Sequence, residues 1–175
     1  KIGASANLSK DYHGLENIKF LRDEIPLLEF DYNFSNSSKL DLTNMSIINS
    51  SNSTTGAVII YGIRLPKGFT KTVYLDRFDS SVNGICLKDE DILQIEEIST
   101  SCNAVNEFKI ECDGSTQKGY SCIYNSTSSM YKVTGLSHSG VIQLTYTQPS
   151  SGDSSGSSSG GGSSGDGGSG GGSGG

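Results

Sequence analysis

FKIECDGSTQKGYSCIY, residues 108–124, reads as two short alternating runs on either side of a polar turn that contains Asp113, Gly114 and Gly119. A hairpin folded about that turn sets Cys112 opposite Cys122 and Ile110 opposite Tyr124. The stretch lies inside a longer segment, residues 82–147, which holds all four cysteines between β-branched runs and around which the rest of the chain is organised. Cys86, Cys102, Cys112 and Cys122 stand 16, 10 and 10 residues apart, with none of the Cys-x-x-Cys pairs that zinc sites and redox motifs use. That spacing points to disulfides. Four cysteines allow three connectivities. The hairpin favours Cys112 with Cys122, which leaves Cys86 for Cys102. Each bridge closes a short loop, and a loop of about 15 residues is worth roughly 3 kcal/mol in the chain-entropy model. Persistent disulfides belong to an oxidising compartment.

Working outward, residues 28–34 alternate Leu28, Phe30, Tyr32 and Phe34 on one face with Glu29, Asp31 and Asn33 on the other, the clearest strand in the chain. Residues 40–48, 57–65, 72–77, 92–98, 130–136 and 141–147 read as further strands, separated by Pro66-Lys67-Gly68, Asn83-Gly84 and the turn at 137–140. Residues 57–65 are apolar on both faces, which predicts a strand central to a sheet covered on each side. Residues 11–25 place Leu15, Ile18, Leu21 and Ile25 at spacings of three and four, which predicts a short helix ended by Pro26. At the N-terminus Ile2, Ala4, Ala6 and Leu8 alternate with polar or small residues, as in a half-buried strand. Strands and turns at this spacing make an all-β fold, an antiparallel immunoglobulin-like β-sandwich. The chain has no Trp and therefore no Cys…Trp…Cys pattern, so the likeness is one of architecture.

The 175 residues divide into an N-terminal strand and hinge (1–14), a sandwich domain (15–149) and a Gly/Ser-rich tail (150–175) built only from Ser, Gly and Asp. Such a tail is a flexible connector with a root-mean-square span on the order of 28 Å. A net charge of -6 without a basic stripe argues against nucleic acid and anionic membrane surfaces. No apolar run approaches the roughly 20 residues needed to span a bilayer, so no membrane contact is expected within this segment.

The surface carries a stronger signal. Asn-x-Ser/Thr triplets begin at Asn7, Asn33, Asn36, Asn44, Asn49, Asn52 and Asn125, seven of the eleven asparagines. Composition alone would supply about two or three, so covalent N-glycans are expected, five of the acceptors falling within residues 33–52. Asn7 and Asn33 both fall on the polar side of their strands, where a sugar stays clear of the core.

The runs KTVYLDR (71–77), ICLKD (85–89), EIS (97–99) with Cys102-Asn103, and YKVTGLSHS (131–139) resemble a β-rich module of predicted secreted surface proteins of small-genome archaea, over about residues 58–147. The resemblance implies a cell-surface location and transfers no catalytic residue. The sandwich, the sequons and Ile2, Ala4, Ala6 and Leu8 together are also similar in architecture to archaeal thread-type filaments, glycosylated subunits joined by strand donation.

Catalytic patterns are weak by comparison. Two Gly-x-Ser-x-Gly matches, at 152–156 and 156–160, overlap inside the Gly/Ser tract and lack the strand and helix a nucleophile elbow needs. His13 and His138 are the only histidines and read as surface residues. Asp89, Glu90, Asp91, Glu96 and Glu97 lack the Asp-x-Asp-x-Asp-Gly order of a calcium loop and read as a solvated acidic edge. No cofactor, no metal and no enzymatic activity are expected. The expectation is a structural subunit of an extracellular, N-glycosylated cell-surface filament whose partners are copies of itself, with a monomeric adhesin or carbohydrate-binding module as the alternative.

Overall fold

The computed structural model describes the backbone of residues 2–4 and the whole of residues 11–35, 39–50, 55–138 and 140–145. Among these it places twelve strands and one 3-10 turn: β1 (Ile2–Ala4), β2 (Leu15–Arg22), β3 (Ile25–Asn33), β4 (Ser46–Asn49), β5 (Ala57–Tyr61), β6 (Lys71–Asp76), β7 (Gly84–Lys88), the turn Ile95–Glu97, β8 (Glu107–Glu111), β9 (Asp113–Gln117), β10 (Tyr120–Asn125), β11 (Met130–Leu136) and β12 (Gly140–Leu144). They form a seven-stranded sheet in the order β1-β2-β3-β6-β11-β10-β9 and a five-stranded sheet in the order β4-β5-β12-β7-β8. Every pairing is antiparallel. The N-terminal positions Ala6 and Leu8, the sequons at Asn7, Asn36 and Asn52, and the tail 150–175 lie outside the described residues.

Period-two patterning builds the core. Phe20, Phe30, Val73, Tyr131 and Val133 from the larger sheet meet Val58, Ile60, Ile85, Leu87, Ile110 and Val141 from the smaller one, all buried. The chain is an all-β, immunoglobulin-like sandwich. β5 is covered on both faces as its apolar sequence requires, although it lies second in the sheet order and β12 takes the centre. Ala57 and Ile59 turn away from the main core into a second cluster with Cys86, Ile92, Ile98, Cys102 and Ile142.

Four expectations are overturned. Residues 11–25 are not helical: Ile18 and Phe20 point inward at strand spacing, and β2 turns at Asp23-Glu24 into β3. Asp23 and Glu24 both have positive φ, 51° and 71°, the primed hairpin turn that normally announces itself with Asn or Gly. Pro26 therefore ends no helix; it sits inside β3 opposite Leu21, where a register shift makes a bulge that accommodates a residue without an N–H. Residues 92–98 are no strand either. Ile92 and Ile98 are buried and Ile95 is partly buried in the second cluster, and the Glu97 carboxylate accepts the backbone N–H groups of Leu93 and Gln94 to close the turn. This segment lies close on β12, where a Cβ on Gly140 would meet Ile92 Cδ1 at 2.3 Å. Of residues 40–48 only 46–48 are extended, because Asp41 Oδ1 accepts the Thr43 N–H and turns the chain first.

The fourth correction concerns the opening stretch. β8 pairs with β7 in the five-stranded sheet, with Ile110 opposite Ile85, while β10 takes β9 and β11 as neighbours, with Tyr124 opposite Tyr131. The hairpin is β9–β10, turning at Lys118-Gly119 with φ of 53° and 89°. Cys112 marks where the chain crosses from one sheet to the other, its N–H donating to Asn83 O at 2.8 Å. Both expected bridges are present, Cys86–Cys102 and Cys112–Cys122. The second clamps the sheet crossing to β10 rather than joining two hydrogen-bonded strands.

Candidate functional site

Sheet edges decide what such a sandwich can join. β8 places Lys109 and Glu111 along its length, and β9 is wholly polar. β4 is bracketed by the sequons at Asn44 and Asn49. Charge and polarity discourage a second chain from pairing with β8 and β9. The fourth edge is different. β1 lies outermost on the seven-stranded sheet, pairing Ile2 with Arg22, Gly3 with Leu21 and Ala4 with Phe20. It covers three residues of the eight in β2, and among the described residues no strand pairs with 15–19 on that side. Leu15, 62% exposed, stands at the uncovered end.

The described sequons occupy turns and strand ends. Asn33 closes β3, with its Oδ1 accepting the Ser35 N–H at 2.9 Å. Asn125 closes β10, with its Oδ1 accepting Thr127 N–H at 2.9 Å and Ser128 N–H at 3.3 Å. These Asx turns engage the side-chain oxygen and leave Nδ2, the atom at which N-glycosylation takes place, out of those bonds. Asn44 is exposed on a turn, and Asn49 is half-buried at the end of β4.

The acidic run is not a solvated edge throughout. Asp89 accepts the Tyr120 hydroxyl at 3.1 Å and the backbone N–H groups of Ser137 and His138, tying the β11–β12 turn to the end of β7. Burial, then the Asp89 charge and hydrogen bond, push the Tyr120 phenol up to about 12. Asp91 pairs with His138 Nδ1 at 2.9 Å, and Glu90 accepts from Asn106. Asp89, Glu90 and Asp91 lie in a loop, where each carboxylate finds its own partner. The pair Asp91–His138 rims a cleft of about 470 Å³ with Arg64, Lys67 and Phe69.

Sequence reading passed over three polar residues. Lys71 is 1% exposed, with Nζ donating to Ile63 O at 3.3 Å. Burial pushes its ammonium below the ordinary range, with Asp89 and Asp91 pulling in the opposite sense. The signal was present, since period two puts Lys71 on the inward face with Val73 and Leu75. Glu107, 9% exposed, accepts from Ser99 N at 2.7 Å, Ala104 N at 3.0 Å and the Ser99 hydroxyl, holding the loop that carries Cys102. Its carboxylate and both sulfurs of Cys86–Cys102 lie within 4.8 Å of one another. Gln143, 6% exposed, bonds the Asp76 carbonyl.

No helix among the described residues is long and apolar enough to cross a membrane. No protein-family model, no curated protein and no solved structure matches this chain.

Proposed function

We propose that this protein is a structural subunit of an N-glycosylated assembly on the cell surface, its copies joined by exchange of the strand that begins the chain. The observation that carries the reading is the position of β1, an outermost three-residue strand that leaves residues 15–19 of β2 without a strand partner on that side among the described residues. A neighbour's segment Ile2, Ala4, Ala6 and Leu8 would enter along β2 in the antiparallel register that the chain's own Ile2–Ala4 uses. Main-chain hydrogen bonds supply the holding energy in either case, so the exchange costs little beyond the entropy of association. Small Ala side chains enter a groove without demanding deep pockets. Repeated head to tail, the contact does not close, and a fibre results. Two disulfides among the described residues support an oxidising, extracellular setting.

The register supplies its own test. Cysteines introduced together as Gly3→Cys and Leu21→Cys face each other across β1 and β2. Strand exchange yields a ladder of covalent oligomers on non-reducing gels, and fibres in electron micrographs of the unmodified protein. Quantitative intramolecular closure with only monomer in solution would sink the proposal and favour a monomeric adhesin.

A further inference from the structure

The outer face of the seven-stranded sheet is mostly polar, with Asn17 donating to Asp31 at 2.8 Å, Lys19 beside Glu29 at 3.5 Å and Ser121 bonded to Thr134 at 2.7 Å. One depression of about 450 Å³ interrupts it, lined by Tyr74, Ile123, Met130, Lys132 and Asn125 with the serines of the following turn. Ile123, 49% exposed, is an apolar residue on a face that folding does not cover. It lies opposite Lys132, and Lys132 lies opposite Tyr74, so the three form one row across β10, β11 and β6.

Asn125 stands two residues beyond Ile123 on the same face of β10 and forms the rim of this groove. Strand geometry puts Ile123 about 7 Å from Asn125 along the strand, and Tyr74 about 10 Å from Ile123 across two strand spacings. We propose that the groove seats the saccharide linked to Asn125, its first one or two rings folded back over Ile123 and Tyr74 instead of projecting into solvent. This rests on Asn125 being an occupied acceptor.

Chemistry favours that occupant. A pyranose ring has one face rich in C–H groups, which fits an aliphatic side chain and the electron-rich face of a phenol ring. Its rim of hydroxyls fits the Lys132 ammonium, which lies 6.0 Å from the Tyr74 ring centroid. Tyr74 is fixed in advance, because its hydroxyl donates to Glu29 at 2.9 Å while Lys19 holds the same carboxylate. The groove falls within the range of roughly 300–1,000 Å³ typical of small-ligand sites. Covalent attachment at the rim keeps the sugar at a high effective concentration, so weak contacts suffice.

The test uses the full chain secreted from a eukaryotic host that leaves one uniform glycan, so that the first two rings are retained. Thr127→Ala removes the sequon, and the Thr127 bond to Asn125 survives because the backbone N–H makes it. Ile123→Ser removes the apolar floor. Melting temperatures of the wild type, the two single variants and the double variant form a cycle in which the other sequons cancel. Losing the sugar should lower the midpoint by about 2–4 °C in the wild type and by much less in the Ile123→Ser background. In the wild type, sugar protons should show nuclear Overhauser contacts to the Tyr74 ring. An occupied Asn125 whose removal costs the same in both backgrounds, with no such contacts, overturns the groove and leaves glycosylation standing. A peptide covering Asn125 that carries no sugar mass overturns both.

Discussion

Gly62 shows how one residue holds two segments together. Its φ is +80°, and a Cβ there would sit 2.0 Å from the Asn44 carbonyl oxygen. Gly62→Ala should cost about 2–4 kcal/mol, the left-handed penalty plus displacement of the 43–45 backbone, read as a lower urea midpoint with unchanged slope. Lys71 poses the opposite problem, a buried cation whose Nζ donates to the Ile63 carbonyl. Its depressed folded-state value means the unfolded chain binds more protons between that value and 10.5, so stability from this group rises with pH through that window. Lys71→Met should abolish that rise, seen by comparing alkaline urea titrations of the two proteins. At neutral pH it should change stability by less than about 1.5 kcal/mol, since relief of desolvation offsets the lost bond. Glu29 and Glu107 titrate in the other direction. Burial alone raises both carboxyls. For Glu29 the Tyr74 hydroxyl, then Lys19 and Lys132, outweigh it; for Glu107 Ser99, Ala104 and Lys88 do. Both end below the ordinary 4.5, so the stability they contribute is complete above that pH and is lost as pH falls through their lowered values. Glu107→Gln should flatten that acid-side loss in a melting series from pH 6 to pH 2; an unchanged slope would refute it.

At the scale of elements, the β2–β3 hairpin carries avoidable strain. Two non-glycine residues with positive φ form its turn, and Glu24 is exposed. Glu24→Gly should stabilise the chain by about 1 kcal/mol, measured by chemical denaturation. No gain would mean that the turn is held by contacts of the Glu24 side chain. The Cys112–Cys122 bridge acts where the chain leaves one sheet for the other. Replacing both cysteines with serine should cost about 2–5 kcal/mol and expose the amides of β9 and β10 to hydrogen exchange well before those of β3. Uniform exchange across the sandwich would show that β9 and β10 do not depend on the clamp.

For the whole molecule, strand exchange and glycosylation make separable predictions. Native protein should exceed the 18.4 kDa of the bare chain in intact-mass measurements, and equality would end the glycan reading. Deleting residues 1–9 should leave a folded domain that no longer polymerises but aggregates through the opened β2 edge. A deletion variant that still forms fibres would place the junction elsewhere.

Alternation determined the all-β class and the inward set Leu28, Phe30 and Tyr32, because a period of two is imposed locally by the backbone, and an unbroken apolar run determined the double burial of β5. Cysteine spacing led to the right bridges by way of the wrong hairpin, since a ten-residue separation constrains loop closure without saying which sheet each end joins. Only the tertiary structure decided that Ile92 and Ile98 form a cover instead of a strand, that Asp23-Glu24 adopts a glycine-like turn, and that Asp89 fastens a distant loop. In each case the deciding partner lies far along the chain, Gly140 for Ile92, Ser137 for Asp89, and the whole opposing sheet for the β2–β3 hairpin. Local pattern carries no information about such partners, because the free energy that selects them appears only when the two sheets close on one another.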